Sequence, residues 1–150
     1  MQPGDTVPDF ELLDDQGNSR TLTEMLTHGP IVLFFYPAAM SPGCTAESCH
    51  FRDLAKEFAD VGAQRVGISP DEVDKQAEFS TKHSFDYPLL ADPGGKVATI
   101  FGARRKFTPL ATRRMTFVID TDRKVLDVIK SEVRMGVHAD RALAALRTRV

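Results

Sequence analysis

The run Ile31-Val32-Leu33-Phe34-Phe35-Tyr36 is apolar without interruption and stops at Pro37. So short a segment, with no alternation, predicts a strand buried on both faces at the centre of a helix-covered sheet. Beyond it, Phe51, Leu54, Ala55 and Phe58 recur every three or four residues and predict one amphipathic helix. Ser41-Pro42 marks its start, with Ser as N-cap and Pro at the first helical position. Gln64–Ile68 reads as a second strand. Ser69-Pro70-Asp71-Glu72 then has the form of a capping box with an N-terminal Pro, opening a helix that runs to about Lys82. Asp92-Pro93-Gly94-Gly95 is a turn, and Val97, Ile100 and Phe101 place a short helix behind it. Met115–Ile119 and Lys124–Ile129 flank the polar Asp120-Thr121-Asp122-Arg123 and predict a hairpin. Ala139, Ala142, Leu143 and Leu146 line one face of a closing helix. The first 30 residues, with Phe10-Glu11-Leu12, fit a further small β element. This order implies a mixed sheet covered on both faces, a three-layer α/β/α fold.

Composition narrows the setting. The chain has 150 residues, 42% hydrophobic and 27% charged, with no internal repeat or linker, and residues 1–150 are expected to form one domain. Nineteen Lys plus Arg against 21 Asp plus Glu leave a net charge of −2, so no global attraction to nucleic acid or anionic lipid is expected. The longest apolar run is far short of the ~20 residues that span a membrane. The opening Met1-Gln2-Pro3-Gly4-Asp5 carries neither the basic nor the apolar region of a signal peptide, so the expected location is cytoplasmic. In that reducing compartment, two cysteines are catalytic, redox-sensing or simply buried rather than a structural brace.

The segment Phe34–Cys49 carries the chemistry. It places Cys44 in the first turn of a helix that follows a central strand, where open α/β sheets bind ligands. Unpaired N–H groups and the positive end of the helix dipole favour thiolate over thiol there. A merely packed thiol would have apolar neighbours, whereas Ser41, Pro42, Gly43, Thr45 and Glu47 surround Cys44, which suits a turn opening onto a pocket. A zinc site does not fit: the cysteines are spaced Cys-x4-Cys, no second pair exists, and His28, His50, His83 and His138 show no ligand spacing. No metal or other cofactor is expected, and all four histidines read as surface residues. A Cys-x4-Cys spacing also argues against a disulfide oxidoreductase, which usually carries Cys-x2-Cys at this turn. Arg104, Arg105 and Lys106 read as a solvated basic loop. Arg113 and Arg114 are both candidates for the site, while Phe107 and Leu110 either line a pocket or pack their loop.

Pro37-x-x-x-Ser41-x-x-Cys44 resembles the peroxiredoxin active-site motif, and the stretch FFYPAAMSPGCTAESCHFRDLAKEF resembles the Q-type group, also called bacterioferritin comigratory proteins. The likeness continues through Gly4-Asp5-x-x-Pro8-Asp9-Phe10, Val66-Gly67-Ile68-Ser69, Tyr87-Pro88-Leu89-Leu90-x-Asp92 and Arg114-x-Thr116-Phe117-Val118-Ile119-Asp120. Two departures stand out: Ser41 in place of the more frequent Thr, and the apolar Ala38-Ala39-Met40 where a more polar stretch is often found.

The resemblance implies a thioredoxin-like fold and a thiol peroxidase acting on hydrogen peroxide and organic hydroperoxides. Cys44 would be the peroxidatic nucleophile, Ser41 would hydrogen-bond peroxide and thiolate, Pro37 would shield the site, and the Gly43 and Cys44 N–H groups would donate to substrate. It selects Arg114 as the cation that stabilises thiolate and leaving oxygen, with Glu47 orienting it or serving only as a first-turn carboxylate. Cys49 would be the resolving cysteine, and thioredoxin or a similar dithiol the reductant. Residues five apart in an ideal helix have Cα atoms roughly 8.7 Å apart, beyond the ~4.4–6.8 Å of a disulfide, so this bridge requires local unwinding. A monomer or weak homodimer is expected. The non-enzymatic alternative is a redox-sensing or holdase-like binding module of the same fold.

Overall fold

The computed structural model describes residues 1–105 and 112–149; Lys106, Phe107 and Leu110 lie outside them. The chain opens with a hairpin of β1 (Glu11–Asp14) and β2 (Ser19–Thr21), followed by the short α1 (Leu22–Met25) and a 3-10 turn at Leu26–His28. Next come β3 (Ile31–Phe35), α2 (Pro42–Asp53), α3 (Ala55–Asp60), β4 (Gln64–Ser69), α4 (Val73–His83) and β5 (Leu89–Ala91). α5 (Lys96–Phe101), β6 (Met115–Ile119), β7 (Val125–Lys130) and α6 (Met135–Arg147) complete the order. The seven strands form one sheet, β2-β1-β5-β4-β3-β6-β7. β3 pairs parallel with β4 and antiparallel with β6, so the sheet is mixed, as expected.

The two periods of β3 build the two halves of the core. Ile31, Leu33 and Phe35 point into a cluster with Leu22, Met25, Val97 and Phe101 from α1 and α5. Val32, Phe34 and Tyr36 point the other way, against Phe51, Phe58, Phe79, Ala139 and Leu143 from α2, α3, α4 and α6. Phe34 and Phe51 stack with centroids 4.1 Å apart, which docks α2 directly on the central strand. The sheet is thereby covered on both faces in a thioredoxin-like three-layer arrangement.

Two local expectations are corrected. The apolar stripe at Phe51–Phe58 spans two helices, because Leu54 leaves helical geometry at φ −98°, ψ 22°. Arg65 of β4 donates to the Phe51 carbonyl at 2.9 Å, the acceptor a continuous helix would offer to residue 55. The capping box at Ser69–Glu72 does not form: the N-cap of α4 is Glu72, without a side-chain cap bond. Ser69 Oγ instead donates to the Asp71 carboxylate at 2.7 Å, and that carboxylate accepts the Ala39 N–H at 2.6 Å. Leu89–Ala91, to which the sequence pattern assigned no element, is a strand, short and wholly buried, with no alternation to reveal it. Among the described residues no helix is long and apolar enough to cross a membrane.

β4 reaches β3 and β5 at Gly67 with no room for a side chain. A Cβ there would lie 2.7 Å from Leu89 Cδ2, 3.0 Å from Phe34 Cζ and 3.2 Å from Tyr36 Cε1. Gly67→Ala is therefore expected to destabilise the protein by about 1–3 kcal/mol, as overpacking does. Urea unfolding measures this; unchanged stability would show that the neighbouring rings move aside freely.

Candidate active site

The turn from β3 into α2 carries Cys44 to the base of the helix. Met40 takes the left-handed region, φ 72°, where a Cβ is strained. Asp71 holds the preceding residue through the Ala39 N–H. Ser41 then serves as N-cap in extended conformation and Pro42 fills the first turn. The Ser41 hydroxyl donates to the Ala38 carbonyl at 2.9 Å instead of capping the helix. Pro42 has no N–H and that of Thr45 goes to the Ser41 carbonyl, so the helix itself leaves the N–H groups of Gly43 and Cys44 unused.

Arg114 meets Cys44 from the start of β6. Its Nη2 donates to Cys44 Sγ and its Nη1 to Glu47 Oε1, both at 3.3 Å. Gly43 makes this approach possible, because a Cβ there would sit 3.3 Å from Nη2. The Arg114 main chain is fixed too: its N–H donates to the Glu132 carboxylate at 3.1 Å and its carbonyl accepts the Ser131 N–H. Glu132 also receives Arg105, so Arg105 is tied to the site's support rather than merely solvated. Arg113 is exposed, and of the two candidates it is Arg114 that donates to the sulfur.

Behind the Arg114–Glu47 contact lies His138 of α6, whose surface reading is corrected: it is 0% exposed. Its Nε2–H donates to the Ser131 carbonyl at 2.8 Å, so the neutral ring accepts the Thr116 hydroxyl at Nδ1. Burial pushes His138 below the ordinary imidazole range. Nε2 lies 3.4 Å from Glu47 Oε2, an oxygen with no hydrogen-bond partner. Burial accordingly pushes Glu47 up from 4.5 to about 8, against the opposing pull of Arg114. Burial draws Arg114 down, but Glu47 and Cys44 outweigh it and hold the guanidinium above its ordinary value. Of the other histidines, His28 is exposed, His83 is half-buried, and the partly exposed His50 pairs with Asp140 at 2.9 Å.

Cys44 itself is 0% exposed, packed in the core beside Ala39, so the turn does not open onto a pocket. Cys49 is half-buried, both thiols are free, and α2 runs unbroken between them. Pro37, half-buried, follows Tyr36 directly after β3. Sequence reasoning missed His138, Glu132 and Asp71. Only Asp71 had a signal, its place beside Ser69-Pro70, and that pointed to a helix cap.

The AhpC/TSA family model matches residues 3–128. The chain belongs to the AhpC/TSA family. Within it, the similarity is to the Bcp/Q peroxiredoxins. Peroxiredoxin Bcp of Bacillus subtilis is 35% identical over 152 residues, covering 98% of this chain and 96% of that protein. The crystal structure of peroxidoxin BcpB from Mycobacterium tuberculosis superposes with a TM-score of 0.95 at 61% identity, covering 100% of this chain and 99% of that one. Peroxiredoxin Q of Xanthomonas campestris gives 0.85 at 30% identity, over 93% and 90% of the two chains. The chain is thus a peroxiredoxin, a thiol peroxidase.

Because the folded protein favours neutral Glu47, this residue's contribution to stability is full below about pH 4.5 and is lost as pH rises towards about 8. Glu47→Gln removes that titration. In thermal unfolding of the reduced protein, wild type is expected to lose stability relative to Glu47→Gln across this window; a constant difference would overturn the assignment.

Proposed function

We propose that this peroxiredoxin reduces hydrogen peroxide and organic hydroperoxides through a Cys44 sulfenic acid that Cys49 resolves within the same chain. The observation that carries the reading is the Arg114 guanidinium 3.3 Å from Cys44 Sγ, at a helix N-terminus with two unused N–H groups. The Cys44 thiolate attacks the terminal peroxide oxygen, an S–O bond forms and the O–O bond breaks. The departing hydroxide or alkoxide takes up a proton and leaves as water or alcohol. Arg114 and the Gly43 and Cys44 N–H groups are placed to balance the charge that develops on the oxygens. Glu47 orients Arg114, and Ser41 and Pro37 border the approach. Support for the organic substrates comes from the Xanthomonas campestris bacterioferritin comigratory protein, whose crystal structures concern alkyl peroxide reduction.

Cys49 then attacks the Cys44 sulfur, forming the disulfide and releasing water, after the first turns of α2 unwind. Thioredoxin or a similar dithiol returns both thiols by disulfide exchange. The cycle runs in residues 1–150 as one domain, a monomer or weak homodimer in the cytoplasm, with no metal, cofactor, nucleic acid or membrane taking part.

Rapid mixing of reduced protein with one equivalent of peroxide, followed by intact-mass analysis, tests the two cysteines. Wild type should lose two hydrogens as a monomer, Cys49→Ser should stop at the sulfenic acid, and Cys44→Ser should fold yet consume no peroxide. Stable sulfenic acid in wild type, or dimers alone, would leave a one-cysteine mechanism.

Arg114 provides a second test. Arg114→Ala should slow the peroxide step by ~10²–10³, by analogy with loss of an oxyanion donor. Arg113→Ala should change it little. Stopped-flow rates for the two variants decide; equal losses would remove Arg114 from its role.

A further inference from the structure

The two halves of α2 are held in different ways. Among the described residues, the side-chain hydrogen bonds to residues 42–47 come from Arg114, on Cys44 Sγ and Glu47 Oε1, with His138 Nε2 lying 3.4 Å from Glu47 Oε2. Residues 48–53 are gripped at the main chain. The Tyr87 hydroxyl donates to the Ser48 carbonyl at 2.7 Å, and Arg65 Nη1 donates to the Phe51 carbonyl at 2.9 Å. Arg52 adds a bond of 2.9 Å to the His83 carbonyl. Cys49 therefore sits between two tethered carbonyls, at Ser48 and Phe51, while Cys44 lies outside them.

The tethers are themselves rigid. Tyr87 is 6% exposed, its ring 5.2 Å from that of Phe85 in a stacked pair and 5.0 Å from the Arg65 guanidinium carbon. Both Arg65 Nη atoms bind the Asp86 carboxylate, at 2.9 and 2.7 Å. Burial holds the Tyr87 hydroxyl well above its ordinary range, so it remains a proton donor. Phe51, stacked on Phe34, pins the same half of the helix to the sheet.

Resting on the resolving role given to Cys49 above, we infer that Tyr87 is a positioning residue for disulfide formation, fixing the hinge of α2 at Ser48. Residues 42–47 unwind and Cys44 travels, while Cys49 is held as a stationary target. The Cys49 sulfur bonds to the Cys44 sulfur, the S–O bond of the sulfenic acid breaks, and the departing oxygen leaves as water with the proton Cys49 gives up. No outside oxidant enters this step. Unwinding to Glu47 breaks the Arg114 contacts but leaves the Tyr87 bond intact. Losing that bond thus spares the opening and frees the target.

The test compares wild type with Tyr87→Phe, which keeps the ring and removes only the hydroxyl. Rapid-quench mass spectrometry separates oxygen uptake from water loss, and amide exchange of the oxidised proteins locates the hinge. In wild type the amides of residues 45–51 should lose protection on oxidation while Arg52, Asp53 and Leu54 keep it. In Tyr87→Phe, oxygen uptake should stay within about twofold, and water loss should slow about fivefold, the equivalent of one hydrogen bond. Protection at Arg52–Leu54 should also be lost. Water loss at an unchanged or faster rate in the variant, or lost protection at Arg52–Leu54 in wild type, overturns the hinge. A wild type that forms no disulfide overturns the resolving role itself, and that result is visible without the variant.

Discussion

One guanidinium, buried between a thiol and a carboxyl, organises this protein. Arg114 can balance one negative charge, yet Cys44 and Glu47 both face it at 3.3 Å. In a site that excludes water, two anions against one cation is an expensive arrangement. The protein resolves it by burying Glu47 so completely that its neutral form is favoured, with one oxygen left unpartnered. That leaves the cation's attention to the sulfur. Every element near the site serves this geometry: Gly43 gives clearance, Glu132 and Ser131 fix the Arg114 main chain, and α6 closes the back with a neutral His138.

The sheet explains why such a cluster can be held still. β3 is buried on both faces, and its register with β6 sets Phe35 opposite Met115, one residue beyond Arg114. The helix that carries Cys44 leaves the end of β3 and Arg114 precedes β6, so neighbouring strands deliver the two partners to one place. Because the β6–β7 hairpin is antiparallel, Ser131 and Glu132, just past β7, return beside Arg114.

Much of this was legible in the chain. The unbroken apolar run of β3, the hairpin, and the Pro37–Ser41–Cys44 spacing all act through near neighbours, where side-chain period and turn chemistry are readable. What escaped notice depends on partners distant in sequence. His138 looks like any helical histidine until Thr116 and Ser131 enclose it. The stripe from Phe51 to Phe58 has a helical period throughout, yet Arg65 interrupts the backbone at Leu54. Ser69-Pro70-Asp71-Glu72 satisfies the local rule for a cap, but Asp71 is drawn to the Ala39 N–H, 32 residues earlier.

Met40 gives the reduced state a hidden tension. A side-chain-bearing residue at φ 72° lies on the order of 1 kcal/mol above a relaxed backbone. That conformation is imposed by the Asp71 anchor on one side and the folded first turn of α2 on the other. In the unwinding proposed for disulfide formation, the constraint on one side goes and the strain is released. On that proposal, the energy stored there would shift the balance between closed and open forms about fivefold towards the open one. The backbone on the Cys44 side of the Asp71 anchor is thus the part of the turn that has least to lose by moving.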